Sequence, residues 1–237
     1  MMKLPAFKNK SDIRNEPRKD MILTSTSDPM EIEAYKTLRS NLFFTLVHST
    51  GCKRITVTSS VSKEGKSTVC VNLAKTIAET NATVLLVDCD LRKPRLHKFF
   101  KAKCIPGLSN YLIGDDNIDE IIHKTGEKNL SIIYSGTIPP NPVEILGSPE
   151  FKNCIEELSK RFDYILMDCP PLLEVTDAME VSKNSDGTLL ITRRKFTTHA
   201  ILYQSLKKLE FAGTKILGFI LNDVAKNKNR YYYRYTN

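Results

Sequence analysis

The tetrapeptide GKST at 65–68, in the run SSVSKEGKST, has the residue types that bind a phosphate group. It follows a β-branched run at 54–60 and leads into a helical stretch, which predicts a loop between a strand and a helix. Backbone N–H groups in such a loop point at phosphate oxygens, and the helix N-terminus adds positive potential. Lys66 would reach the outer phosphates of a nucleotide, and the Ser67 hydroxyl would ligate Mg²⁺. Ser60 replaces the first glycine of the pattern G-x-x-x-x-G-K, so the prediction depends on this placement as well as on the motif.

Carboxylates end two other apolar runs of the chain. The run VLLVDCDLRKP contains Asp88 and Asp90, and the run YILMDCPP contains Asp168. An open α/β sheet binds its ligands at the carboxyl ends of its strands, where these residues would lie. A single such aspartate could equally cap a turn. Two apolar strands that both end in aspartate, together with the GKST loop, favour a site for Mg²⁺ and a nucleotide.

The elements that must position these residues alternate between strand and helix, which predicts an α/β fold with a mostly parallel sheet flanked by helices. Nearly continuous apolar runs are typical of parallel strands buried on both faces. The predicted strands are 54–60, 83–90, 129–135, 163–170, 187–193 and 214–222. The predicted helices are 29–48, 66–79, 117–124, 149–161 and 199–212.

The 237 residues suit one α/β domain over 25–225 with a short segment on either side. Residues 1–24 are expected to be a flexible basic arm, and 226–237 a tyrosine-rich mobile tail. The net charge of +8 lies mostly in these two segments, and the domain between them is near neutral. A nucleic-acid-binding protein usually carries its basic surface on the folded body, and basic tails suit an anionic membrane surface or an acidic partner as well. The interleaved arginines and tyrosines of the tail would alternatively stack on nucleic-acid bases, but no nucleic-acid partner is expected.

The sequence is that expected of a cytoplasmic chain. No apolar run approaches the roughly 18 residues that span a bilayer, and the N-terminal segment lacks the apolar core of a secretory signal. The six cysteines show no C-x-x-C spacing, so they are expected to be reduced and structural.

Taken together, the motifs resemble the Walker A, A′ and B motifs of the bacterial tyrosine kinases (BY-kinases). The likeness is greatest to the separate cytoplasmic kinase subunits of capsular and exopolysaccharide systems. The run from Glu33 to Arg39 is similar to the family's E-x-x-R-x-x-R oligomerisation helix, with Lys36 in place of the first arginine. The segment SGTIPPNPVEIL at 135–146 is similar to a family segment between the A′ and B motifs. The C-terminal tyrosines resemble the family's self-phosphorylation tail.

This resemblance implies a P-loop NTPase fold of the deviant Walker A (MinD-like) group, and an ATP- and Mg²⁺-dependent protein-tyrosine kinase. The catalytic residues would be Lys66, Asp88, Asp90 and Asp168, with Asp88 as the base or orienter of the incoming tyrosine. The metal would be held by Ser67, Asp88 and Asp168. The nucleotide would be bound by Ser62, Lys63, Glu64, Gly65, Lys66, Ser67 and Thr68. The family usually has Pro-Gly where this chain has Ser62-Lys63.

The resemblance also implies how the kinase would be used. The acceptors would be Tyr231, Tyr232, Tyr233 and Tyr235, phosphorylated in trans within a ring of identical chains. The ring would form through Glu33, Lys36 and Arg39. A separate membrane adaptor would activate the kinase and recruit it to the inner face of the membrane, and a tyrosine phosphatase and further protein substrates are expected.

Two other functions fit the same fold. A partitioning or cell-division ATPase of the deviant Walker A type carries an extra lysine five residues before the Walker lysine, where this chain has Val61. The other alternative is a non-catalytic nucleotide-sensing adaptor.

Arg92 and Lys93, which follow the A′ aspartates, would contact phosphate or a neighbouring subunit, or else lie in a solvated loop.

Overall fold

The computed structural model describes residues 2–5 and 21–224, and within them eight strands form one sheet. Every neighbouring pair is parallel except the short pair β4–β5, so the predicted mostly parallel sheet is confirmed. The strands are β1 (Met2–Pro5), β2 (Lys53–Ser59), β3 (Val84–Asp88), β4 (His123–Lys124), β5 (Leu130–Ile133), β6 (Tyr164–Asp168), β7 (Gly187–Arg193) and β8 (Ile216–Val224). Their spatial order is β1-β8-β7-β2-β6-β3-β5-β4.

Helices cover both faces of the sheet. They are α1 (Pro29–Thr45), α2 (Lys66–Ala78), α3 (Leu96–Phe100), α4 (Leu108–Leu112), α5 (Ile118–Ile121), α6 (Pro142–Leu146), α7 (Pro149–Leu158), α8 (Asp177–Ser182) and α9 (His199–Phe211). The helix predicted over 117–124 is wrong at its end, because the backbone becomes extended at Ile122 and β4 follows. Within the described residues, no helix is long and apolar enough to cross a membrane.

The central strands are buried on both faces, as their continuous apolar runs predict. In β3, Leu86 packs into the hydrophobic cluster beneath α1 and α2, whereas Leu85 and Val87 pack into the cluster beneath α7. Successive side chains of a strand point to opposite faces, so each face takes every second residue. The sheet therefore forms the rigid base on which the loops at its carboxyl edge are mounted.

The predicted helix that follows the N-terminal segment is α1. The Asp28 side chain accepts a hydrogen bond from Met30 N at 2.8 Å, and Pro29 occupies the first turn. Both features match the expected N-terminal signals of a helix. Its buried residues Tyr35, Leu38 and Leu42 face the sheet, which fixes α1 against the domain.

The expectation that residues 1–24 form a flexible arm is wrong at two stretches. The strand β1 pairs in parallel with β8 at the edge of the sheet. Leu23 is buried, and its N–H donates to Asn72 Oδ1 at 2.8 Å. An edge strand of four residues has too little apolar periodicity to be predicted, and the contact at Leu23 joins residues far apart in sequence. The predicted tail, 226–237, lies outside the described residues.

Candidate active site

The three predicted chemical motifs meet at the carboxyl edge of the sheet. Strands β3 and β6 are neighbours, and Asp88 lies in register with Asp168 at their ends. On the other side of β6, Val57 of β2 pairs with Asp168, and the chain enters the phosphate loop a few residues later. Because parallel strands end at the same edge, the loop and both carboxylates come together there, as the sequence predicts.

Lys66 lies among the carboxylates that follow β3 and β6. Its Nζ is 3.2 Å from Asp90 Oδ2 and 3.2 Å from Asp168 Oδ1, and it donates to Ser67 Oγ at 3.4 Å. Burial alone would lower the pKa of Lys66, but the negative charges of Asp168, Asp90 and Asp88 outweigh it and raise the pKa above its ordinary value. The ammonium group is therefore charged and held at one point in the site.

Asp88 is fully buried, and both of its carboxylate oxygens accept backbone hydrogen bonds. Oδ1 accepts from Asp90 N at 3.2 Å and Oδ2 accepts from Leu96 N at 3.1 Å. Burial raises the pKa of Asp88 to about 8, and the neighbouring Asp168 and Asp90 add to the shift. A carboxyl with such a pKa is suited to accept a proton near neutral pH.

Asp168 offers an oxygen that a metal ion could use. Its Oδ2 is buried and has no hydrogen-bond partner among the residues that the structure describes. Burial raises the pKa of this carboxyl, although Lys66 opposes the shift. Mg²⁺ prefers oxygen ligands and is usually held by one or two carboxylates together with substrate phosphates, rather than by an all-protein cage. The Asp168 carboxylate and the Ser67 hydroxyl fit that description, and within residues 21–224 no cluster of three or more metal-ligating side chains forms a closed site.

The phosphate loop contains two left-handed backbone positions. Gly65 has φ +88°, and a Cβ at this position would lie 2.2 Å from Asn222 Nδ2, so a side chain there would be strained and would displace the Asn222 amide. Lys63 has φ +69°, the conformation that glycine adopts at little cost, and Arg193 Nη1 donates to its carbonyl at 3.2 Å. Lys63 therefore adopts a left-handed conformation although it is not glycine, at a cost of roughly 1–2 kcal/mol.

Comparison with known proteins shows the family to which the chain belongs. The family described as an AAA domain matches residues 52–201. Tyrosine-protein kinase ptk of Acinetobacter johnsonii is 36% identical over 211 residues, which are 89% of this chain and 29% of that protein. Tyrosine-protein kinase YwqD of Bacillus subtilis is 32% identical over 215 residues, which are 91% of this chain and 90% of that protein. The chain belongs to the bacterial tyrosine-protein kinases.

The solved structure of the kinase domain of the Escherichia coli tyrosine kinase ETK agrees with this assignment. It matches with a TM-score of 0.85 at 29% identity, over 95% of this chain and 90% of that domain. The P-loop NTPase fold implied by the resemblance is thereby confirmed. The chain spans less than a third of the length of the first three curated relatives that it matches.

The phosphate loop is held by hydrogen bonds to two distant segments of the chain, which the sequence analysis does not predict. Ser62 N donates to Glu174 Oε1 at 2.7 Å, in the segment that follows β6. Glu64 is 1% exposed, and its carboxylate accepts from Val61 N at 3.0 Å and from the Thr197 hydroxyl. No periodicity or motif predicts the contacts of Glu174 and Thr197 with the loop, because each contact joins residues more than a hundred positions apart.

Arg92, which follows the A′ aspartates, forms a bidentate ion pair within this kinase. Its Nε donates to Asp177 Oδ2 at 2.8 Å and its Nη2 to Asp177 Oδ1 at 3.0 Å. Asp177 is fully buried at the start of α8. Lys93 is exposed, and its N–H donates to Asp90 Oδ1 at 3.0 Å. Arg92 therefore fixes the A′ loop to α8, which the solvated-loop interpretation did not foresee.

We expect Arg92→Lys to lower the turnover rate of phosphotyrosine formation about tenfold, because a lysine cannot make the bidentate pair that holds the A′ loop. Steady-state kinetics with ATP as the varied substrate would measure this. The matched control is Arg54→Lys, since Arg54 pairs with Asp186 at 2.9 Å away from the site. Equal rates for the two variants would contradict the positioning of the loop by Arg92.

The residues implied in oligomerisation lie on α1. Glu33 and Lys36 are exposed, whereas Arg39 is half-buried and its Nη1 donates to Thr76 O at 2.7 Å within the same chain. Part of the arginine is thus used inside the kinase domain. The tail tyrosines that the resemblance implies as acceptors lie outside the described residues.

Proposed function

We propose that this chain is a protein-tyrosine kinase that transfers the γ-phosphate of ATP to tyrosine in the presence of Mg²⁺. One observation carries the proposal: Lys66 Nζ lies 3.2 Å from both Asp90 and Asp168, directly behind a phosphate loop. A relative that the chain matches over nearly its whole length is named as a tyrosine-protein kinase, which supports the reaction class.

In this proposal the loop amides and Lys66 bind the β- and γ-phosphates. Lys66 is held in place before the nucleotide arrives, so little reorganisation is needed when charge develops on the transferring group. Ser67 and Asp168 would hold Mg²⁺, with Asp88 beside them. When bound, the ion neutralises charge on the phosphate oxygens.

The transfer itself needs an oriented hydroxyl. The tyrosine Oη forms a new bond to the γ-phosphorus, the bond between that phosphorus and the ADP oxygen breaks, and the phenolic proton passes to Asp88. Asp88 is placed for this role by its register with Asp168 at the ends of β3 and β6. Because the transition state is loose, alignment and charge contribute most of the acceleration.

The acceptors would be the four tyrosines at 231–235 of another copy of the chain. The strand β8 is parallel to β7 and ends at Val224, so the chain continues from the edge of the sheet that carries the site. Thirteen residues follow, and at about 3.3 Å each they can reach a neighbouring molecule. Glu33, Lys36 and Arg39 of α1 would join the copies into a ring.

The same proposal gives the kinase a place and partners. A separate membrane adaptor would activate it and recruit it from the cytoplasm to the membrane, and a tyrosine phosphatase would reverse the modification. The pathway under control would be the synthesis and export of a capsule or exopolysaccharide. No nucleic-acid partner is proposed.

A mixing experiment tests transfer between chains. One variant, Lys66→Met, keeps the tail and loses catalysis; the other has all four tail tyrosines replaced by Phe and keeps catalysis. We expect little phosphotyrosine from either alone, and phosphorylation of the Lys66→Met tail when both are mixed with ATP and Mg²⁺. The adaptor's cytoplasmic segment is added to every sample, and the tail is read by mass spectrometry.

Two results would contradict this proposal. Undiminished phosphotyrosine in the four-fold Phe variant would show that the acceptors lie elsewhere. A mixture that stays unmodified while the unaltered kinase phosphorylates its own tail would show that transfer occurs within one chain.

A further inference from the structure

The phosphate loop contains a buried carboxylate that its binding chemistry does not call for. Glu64 lies two positions before Lys66 and is 1% exposed. A negative charge in a loop that receives an anion repels it, and in a poorly solvated site this repulsion is strong. Such a group is retained only if its own contacts offset the repulsion.

Those contacts join the loop to the end of the neighbouring strand β7. The Glu64 carboxylate accepts from Val61 N, inside the loop, and from the hydroxyl of Thr197, in the turn between β7 and α9. Thr197 Oγ1 in turn accepts from Arg193 N at 2.8 Å, so the hydroxyl is oriented to donate to Glu64. The Glu64 carboxylate therefore joins the phosphate loop to the turn between β7 and α9.

Main-chain carbonyl groups of the phosphate loop are also held, by side chains at the ends of β7 and β8. Asn222 Nδ2, at the end of β8, donates to the Glu64 carbonyl at 2.9 Å. Arg193 Nη1 donates to the Lys63 carbonyl, and its Nε pairs with Asp223 at 3.0 Å. The loop is thus fixed to the ends of both β7 and β8 before a nucleotide binds.

From these contacts we propose that Glu64 and Thr197 are positioning residues for the nucleotide: their hydrogen bond holds the loop amides in the arrangement that binds phosphate. A preorganised loop loses less conformational freedom on binding, so its affinity is higher. The proposal rests on the proposed use of this loop for ATP. It adds that the Thr197 hydroxyl, which lies outside the phosphate-loop motif, raises the affinity of the loop for the nucleotide.

Binding of Mg·ATP and of ADP to the full chain tests this without any phosphoryl transfer. We expect Thr197→Val to raise the Kd for Mg·ATP about fivefold, because it removes a hydrogen bond to a charged group. The conservative variant Thr197→Ser restores the hydroxyl and should bind within about twofold of the wild type. Turnover at saturating ATP should change much less than KM in Thr197→Val.

The matched control is Thr45→Val. Thr45 is an exposed threonine at the end of α1 whose hydroxyl donates to Asn41 O at 2.8 Å, away from the loop. It should bind nucleotide as the wild type does, and thermal unfolding should show that both variants are folded. In a double-mutant cycle, adding Glu64→Gln to Thr197→Val should raise Kd less than the product of the single effects.

Three results would count against the inference. Equal Kd values for Thr197→Val and wild type would overturn it and leave the kinase proposal intact. A Thr197→Ser variant as weak as Thr197→Val would show that shape, not the hydroxyl, matters. Failure of the wild-type chain to bind Mg·ATP at all would overturn the inference and the proposed function together.

Discussion

Lys66→Met is expected to lower the rate of phosphotyrosine formation about a thousandfold, because the site loses its only ammonium group within reach of Asp90 and Asp168 among the residues described. The same change should weaken nucleotide binding. It should also lower the free energy of unfolding, by about 3 kcal/mol or more, since the buried carboxylates lose their cation. Quantitative phosphotyrosine detection and thermal unfolding would measure the two effects.

Lys75→Met is the matched control for this prediction. Lys75 lies on the same helix, α2, and pairs with Glu127 at 2.7 Å, but it is remote from the carboxylates that follow β3 and β6. We expect its phosphotyrosine formation to stay near that of the wild type. If both variants lost activity equally, the loss would be one of folding, and Lys66 would have no special part in catalysis.

Asp168→Asn should lower turnover about a hundredfold and raise the Mg²⁺ concentration needed for half-maximal activity. An amide keeps the shape of the side chain but removes the negative charge that would hold the ion at Oδ2, which has no hydrogen-bond partner among the described residues. It also removes a charge partner of Lys66. Initial rates measured over a range of Mg²⁺ concentrations at fixed ATP would separate weaker Mg²⁺ binding from the loss of the charge partner of Lys66.

Asp186→Asn serves as the control, because Asp186 pairs with Arg54 in an ion pair outside the site. Its dependence on Mg²⁺ should match that of the wild type. An Asp168→Asn variant with an unaltered Mg²⁺ dependence would remove Asp168 from the metal site that we propose, even if its turnover were reduced.

The positions of the candidate catalytic residues could be predicted from sequence because each of them is marked locally. Asp88, Asp90 and Asp168 each follow an apolar run, and Lys66 follows a strand-to-loop transition. Parallel strands end at one edge, so local positions sufficed to bring these residues together. The observed register of Asp88 with Asp168 confirms that reasoning.

The supports of the site could not be predicted in the same way. The contacts of Glu64 with Thr197 and of Arg92 with Asp177 each join residues 85 or more positions apart. Such pairs are decided by how neighbouring loops pack at the edge of the sheet, and no spacing in the sequence encodes them. The edge strand β1 could not be predicted for a related reason, because the described strand with which it pairs, β8, is distant in sequence.

Lys63 shows a different case, in which a residue that departs from the family's sequence pattern takes up a left-handed backbone conformation. Its φ of +69° is left-handed although the residue is not glycine. The hydrogen bond from Arg193 to the Lys63 carbonyl supports that conformation. Tertiary contacts therefore supply at this position what the residue type alone does not favour.

The most direct test of the central claim is a phosphopeptide map of the full chain by mass spectrometry. The protein is incubated with ATP, Mg²⁺ and the cytoplasmic segment of the candidate adaptor, beside the Lys66→Met control. We predict phosphate on tyrosines at 231–235 in the wild type and none in the control. An unmodified tail in a chain that still hydrolyses ATP would contradict the kinase and favour a partitioning-type ATPase.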